Sequence, residues 1–236
     1  MKQIELCENG IYAVWQVCDD LRLQLLHFLA QACAAKAEPE EGVYALEVHV
    51  TGENCELERN GIRHAMTSAG WRMQYIRHTD ERNEAGRRIT FYMKEPAIGL
   101  QARQIYQFYD GIQTVRAWAE LENVGADDLG IEYVSSFALT GVERGGLSAP
   151  EDKMRVWIPH NTWCREAQWK SYSFPEVGLT SSQIYQRQHS ATALSVGNTG
   201  TWSTKSYLPM GYLENVETGS ALLWQIENNG SWHWEI

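Results

Sequence analysis

No stretch of this sequence approaches the ~20 consecutive apolar residues that a membrane-spanning helix needs. The first residues, MKQIELCENGIY, hold no apolar segment ahead of a small-residue cleavage site. Neither an anchor nor a secretion signal is therefore expected. Basic residues are also in short supply: 20 Lys and Arg stand against 30 Asp and Glu, a formal charge of −10, which repels phosphate backbones and anionic lipid. Nucleic acid and membrane surfaces are thus excluded as expected partners. The five cysteines, Cys7, Cys18, Cys33, Cys55 and Cys164, are odd in number and form no CxxC pair, so neither a zinc ribbon nor a disulfide scaffold is indicated. They are expected to be reduced, mostly buried thiols in a soluble cytoplasmic protein. His64 and His78 lack a carboxylate or Cys at ligand spacing, and His160 with Cys164 lacks two further ligands, so no metal site is expected. No GxSxG elbow, phosphate loop or dinucleotide fingerprint is present, and no cofactor is called for.

What the chain does have is tryptophan, concentrated at one end. Seven of the ten lie at Trp157, Trp163, Trp169, Trp202, Trp224, Trp232 and Trp234, within the runs IPHNTWCREAQW, TGTWSTKSYLPMGYLEN and LLWQIENNGSWHWEI. An indole needs apolar cover for its ring and an acceptor for its N–H. Set among Asn, Glu, Gln, Lys and Thr, such rings suit a ligand that is apolar on one side and hydroxylated on the other, which describes a sugar.

Upstream, the sequence is a series of alternating runs. Leu21, Leu25, Phe28, Leu29 and Ala32 could share a helical face behind Asp19 and Asp20, but Leu21, Leu23 and Leu25 also alternate with Arg22 and Gln24. The β character of the rest decides for a strand over 21–28, followed by an irregular or short helical piece. VYALEVHV predicts a strand with Tyr44, Leu46, Val48 and Val50 on one face and Ala45, Glu47 and His49 on the other, and 53–70 reads as a long polar connection. WRMQYIRH, RRITFYMKE and the pair of runs on either side of Asp110-Gly111 predict further strands, the last two as a hairpin with a two-residue turn. IEYVSSFALTGV alternates again. Asn229-Gly230 predicts a terminal hairpin that places Trp232 and Trp234 on one buried face. Closely spaced strands without helical periodicity imply an all-β antiparallel sandwich. ERGGLSAPED, the one Gly/Pro-rich stretch, is taken as a loop inside a single domain over 1–236. Its stop in mid-strand suggests a chain cut from something longer.

The three aromatic blocks, in this order, resemble the N-terminal β domain of the α-galactosidases of glycoside hydrolase family 36. The resemblance is specific over 157–236 and general upstream. It implies a two-sheet supersandwich of galactose mutarotase-like topology, packed on a (β/α)8 barrel beyond Ile236 that would hold the catalytic aspartates of a retaining hydrolase. This chain alone would then be inactive. It also implies a galactoside-like carbohydrate partner and a homo-oligomer, though the early Asp/Arg loop of one family branch has no counterpart between Glu53 and Arg88.

The candidate substrate-binding residues are Trp163, Trp169 and Trp202, as platforms for pyranose C–H faces, with His160, Asn161, Glu166 and Lys205 bonding hydroxyls. Each has a plainer role open to it: core or interface for the tryptophans, a local turn for His160, an ion pair for Glu166 and Lys205. Glu120 and Glu122 project from one strand face, but the side opposite Leu121 should be solvated. Two rival functions remain, a free-standing carbohydrate-binding protein and a mutarotase-like enzyme using His160 with Glu166.

Overall fold

The computed structural model describes residues 2–30, 43–53, 64–142, 145–179 and 193–236. They are all-β, in antiparallel sheets, and divide into two compact units, Met1–Val142 and Glu143–Ile236. The boundary falls at the ERGGLSAPED run.

In the first unit, β1 (Lys2–Glu8), β2 (Ile11–Val17) and β3 (Leu23–Leu29) form a meander. Asn9 and Gly10 turn β1 into β2 with both φ angles positive, at 48° and 79°, as a two-residue hairpin requires. The strand expected over 21–28 is therefore real, beginning after the turn that holds Leu21. The helical piece expected beyond it lies outside the described residues.

The VYALEVHV expectation is corrected. Only Val48–Val50 (β4) is strand, pairing with β9 (Ile131–Val134), and Ala45 and Glu47, assigned to an outer face, are as buried as Tyr44 and Leu46. Both sides of this segment are covered. Glu47, 2% exposed, consequently carries its carboxylate into the interior, where donors meet it. Thr67 donates its N–H (2.9 Å) and hydroxyl (2.8 Å) to Oε2, and Tyr44 N–H reaches Oε1 (3.1 Å). The Thr67 oxygen accepts in turn from Val48 N–H and from Gly70 N–H, capping a short helix, α1 (Ser68–Arg72). Gly70 fits because a Cβ there would sit 2.6 Å from the Thr67 hydroxyl and 2.7 Å from Glu47 Oε2. The polar connection expected over 53–70 thus ends in a helix that takes Trp71 and Arg72 out of the strand WRMQYIRH.

The second sheet of this unit is the meander β5 (Gln74–Asn83), β6 (Gly86–Glu95), β7 (Leu100–Phe108) and β8 (Val115–Asn123). Ile89, Phe91 and Met93 are buried as their alternation predicts. At the β5–β6 turn, Asn83 Oδ1 accepts from Ala85 and Gly86 N–H. Gly86 has φ 141°, and a Cβ there would lie 2.4 Å from Phe108 O; only glycine lets the two backbones approach. The Asp110-Gly111 connection is longer than expected, since Phe108 pairs with Val115 and residues 109–114 form the loop. β8 is an edge strand with neither face fully covered. Between this sheet and the first, Trp15 (0% exposed) meets Phe91 at 5.2 Å and Tyr106 at 5.1 Å between ring centroids.

In the second unit, a short helix α2 (Pro150–Lys153) leads into β10 (Met154–Thr162), which turns back as β11 (Arg165–Ser173). β13 (Met210–Asn215) and β14 (Ser220–Gln225) complete a sheet of order β11-β10-β13-β14. The terminal hairpin is corrected: β15 (Trp232–Glu235) pairs with β12 (Ser195–Asn198), not with β14. Trp232 and Trp234 are nonetheless buried, as expected. Trp234 meets Trp224 edge-on at 5.1 Å, so a ring contact joins the two strands where ladder bonds were expected.

Candidate functional site

The aromatic blocks converge on the tip of the β10–β11 hairpin and the loop that follows β12. Trp163 and Cys164 form the tip, with Cys164 at φ 59°, and Trp163 stands 79% exposed. Glu166 folds over this turn, its Oε1 accepting from Cys164 N–H (3.1 Å). Behind the tip the ladder shifts register between His160 and Thr162, a bulge that turns Asn161 into a junction. Asn161 Oδ1 accepts from Ala167 N–H (3.1 Å), its side-chain amide donates to Thr204 O, and its own N–H donates to Ser206 O (2.9 Å).

The second loop is fixed from its other side as well. Trp232 Nε1 donates to Ser203 O (2.6 Å), the Asn198 amide to Trp202 O, and Gly200 N–H to Ser231 Oγ (3.0 Å). These bonds hold Trp202 in place with its ring 53% exposed. Two exposed indoles therefore stand on loops joined through one asparagine, each anchored by backbone hydrogen bonds, which lowers the entropy lost on binding. Asn161→Asp is expected to keep the Ala167 bond and lose the donor to Thr204. The expected cost is about 1–3 kcal/mol in denaturant unfolding, with faster proteolytic cleavage between 199 and 207.

The other nominated residues do not join them. In the β10–β11 ladder His160 pairs with Gln168 and Trp169 with Pro159, so His160 and Trp169 point to opposite faces of the sheet. His160 Nε2 is bonded to the Tyr172 hydroxyl (2.8 Å), and its ring packs on Tyr207. That engages the imidazole Nε2 within the sheet. The ion pair weighed between Glu166 and Lys205 does not form among the described residues; Lys205 is exposed and Glu166 serves its own turn. The mutarotase-like pairing of His160 with Glu166 is likewise unsupported, since each is engaged elsewhere. Glu120 is held by Arg103 (2.8 Å) and accepts from Trp118 Nε1 (3.3 Å).

The thiols also need correcting: Cys7 and Cys164 are exposed and only Cys18 is buried, while Cys33 and Cys55 lie outside the described residues. His64 stacks on Tyr133 at 4.2 Å and His78 bonds the Tyr75 hydroxyl (2.7 Å). Among the described residues no group of three or more His, Cys, Asp or Glu could hold a metal ion, and no helix is long and apolar enough to cross a membrane.

Sequence reasoning passed over one arrangement. Trp157 and Tyr212 are direct cross-strand partners with rings 6.2 Å apart, and Trp157 Nε1 donates to Glu214 Oε2 (3.0 Å). The signal was there in the odd-numbered positions of β10 and the even-numbered positions of β13, which share this face.

No family model and no curated protein matches the sequence. Among solved structures the chain is similar to a family 36 α-galactosidase from Geobacillus stearothermophilus in complex with 1-deoxygalactonojirimycin. That match has a TM-score of 0.58 at 13% identity, over 98% of this chain and 39% of that one. It is similar also to an α-galactosidase from Lactobacillus brevis (0.56, 9% identity, 98% and 38% covered). A third match is the galactosidase domain of an α-galactosidase–sucrose kinase (0.59, 9% identity, 99% and 39% covered). The chain spans about two fifths of the length of each. The resemblance to the α-galactosidases of glycoside hydrolase family 36 therefore holds at the level of fold: this chain has the fold of a part of those enzymes.

Proposed function

We propose that the chain is the non-catalytic N-terminal domain of an α-galactosidase-like retaining glycoside hydrolase of the cytoplasm. In this reading, residues 1–236 are one supersandwich domain. It supports a catalytic (β/α)8 barrel and lends Trp163 and Trp202, with Trp169, Asn161 and Lys205 nearby in sequence, to recognition of a galactoside or to contacts in a homo-oligomer. The observation that carries this reading is the pair of coverages: 98% of this chain against 39% of the Geobacillus enzyme. A likeness that takes in nearly all of one chain and a minority of the other is what a domain of a larger enzyme produces. The anchored, exposed indoles add that the domain has a surface to contribute.

Because the acid and nucleophile would both reside in the barrel, the 236-residue chain should release no nitrophenol from an aryl α-galactoside above the buffer rate. Turnover that copurifies with the chain would overturn the proposal. A second reading, a free-standing carbohydrate-binding protein, is favoured by the 79% exposure of Trp163. It requires sugar-induced quenching that disappears in Trp163→Ala or Trp202→Ala, and an unchanged titration in those variants removes it.

A further inference from the structure

The sheet of the second unit has one closed face and one open one. Val156, Ile158 and Leu213 are buried on the first. On the other, the ladder lines up a row across strands: Trp157 pairs with Tyr212, and Tyr212 pairs with Leu223, which is 65% exposed. Trp169, 39% exposed, shares this face through its pairing with Pro159. Next to the row lies a polar pair, Arg155 directly opposite Glu214. Glu214 Oε2 fixes the Trp157 indole, and its Oε1 has no partner among the described residues. Arg155 is steadied by its own donation to the carbonyls of Asp152 (3.1 Å) and Met154 (2.8 Å).

We infer that this face is a binding site for a neutral saccharide, separate from the Trp163 and Trp202 loops. The half-buried rings of Trp157 and Tyr212 supply a surface for pyranose C–H groups, and the indole cannot swing away because Glu214 holds its N–H. The free carboxylate oxygen accepts from a sugar hydroxyl, and the guanidinium opposite donates to a neighbouring one, both as charge-assisted bonds. Charge selects the class of ligand. Arg155 is answered by Glu214 directly opposite and by the charge of Glu176 nearby, within a chain of net charge −10, so an anionic sugar meets no excess of positive charge, while an uncharged polyol finds both acceptors and donors. A row that crosses four strands suits an extended oligosaccharide rather than an enclosed monosaccharide. This site is independent of any hydrolytic role and stands or falls apart from it.

The test uses the ¹⁵N–¹H signals of the tryptophan indoles in the 236-residue protein, titrated with galactose, raffinose and glucuronate. The Trp157 signal is assigned as the one missing in Trp157→Phe, and retained dispersion of the other indoles reports that each variant is folded. Raffinose is expected to shift the Trp157 signal saturably, glucuronate to leave it in place, and Glu214→Gln to weaken the raffinose effect by about tenfold. A Trp157 signal that stays still up to tens of millimolar raffinose, or a shift indifferent to Glu214→Gln, would overturn the assignment. So would shifts confined to the Trp163 and Trp202 signals, which would place sugar on the loops instead.

Discussion

Glu47→Leu is expected to lose at least about 3 kcal/mol of stability in denaturant unfolding, because it removes the acceptor of three buried donors at once. Tyr44 N–H, Thr67 N–H and the Thr67 hydroxyl all end on this carboxylate, which belongs to a residue only 2% exposed. A leucine there keeps the volume and strands the donors. The same group makes stability depend on pH. Burial pushes the Glu47 carboxyl up to about 7, against the pull of the donors from Thr67 and Tyr44. With the folded value above the unfolded one near 4.5, the folded state holds its proton longer. The contribution is complete below the unfolded value and is lost as pH rises through about 7. Stability should therefore fall by on the order of 3 kcal/mol across that window. Glu47→Gln should be less stable throughout, since its amide nitrogen faces donors, but should lose this slope. A wild-type stability that rises over the same window, with Glu47→Gln behaving identically, would contradict the assignment.

Trp15→Ala should cost about 3–5 kcal/mol, the usual range for emptying a fully enclosed aromatic site. Trp15 is the one ring of the first meander that touches both Phe91 and Tyr106 of the second, and Tyr106 passes the contact on to Phe137 at 6.4 Å. Removing the indole leaves a void between two sheets whose backbones are tied within their own ladders and cannot collapse inward. Trp15→Phe retains part of the contact and should fall between wild type and alanine in urea melts. Equal losses for phenylalanine and alanine would mean that the ring's size is not what the site uses.

The sheet β5 to β8 was legible because two signals agreed there: strict alternation at Ile89, Phe91 and Met93, and side chains such as Asn83 that close the turns by themselves. Legibility failed where partners are remote. Glu47 occupies an outward position by alternation, yet its segment is covered on both sides by pieces that arrive much later, including Ser135, whose hydroxyl accepts from Glu47 N–H. The β14–β15 hairpin was inferred from adjacency and an Asn-Gly turn, but β14 takes β13 as its partner through the turn after Asn215, leaving β15 for β12. At the candidate site, the polar loops around Trp163 and Trp202 left exposure and burial both open, and the structure has the two rings exposed. The capture of His160 by Tyr172 was not legible, because it depends on which residues of β11 lie opposite β10. The open aromatic face showed in the alternating positions of β10 and β13, but that the two strands lie side by side is a matter of the β10–β13 pairing, which joins residues far apart in sequence.

The pairing of Val48 with Val134 also sets an order of events for the growing polypeptide. Both meanders of the first unit are made of sequence neighbours and can zip as soon as their turns emerge, whereas β4 must wait until the ribosome has delivered β9. Since Ser135 leaves the tunnel immediately behind β9, the Glu47 N–H meets its acceptor only as this last seam shuts.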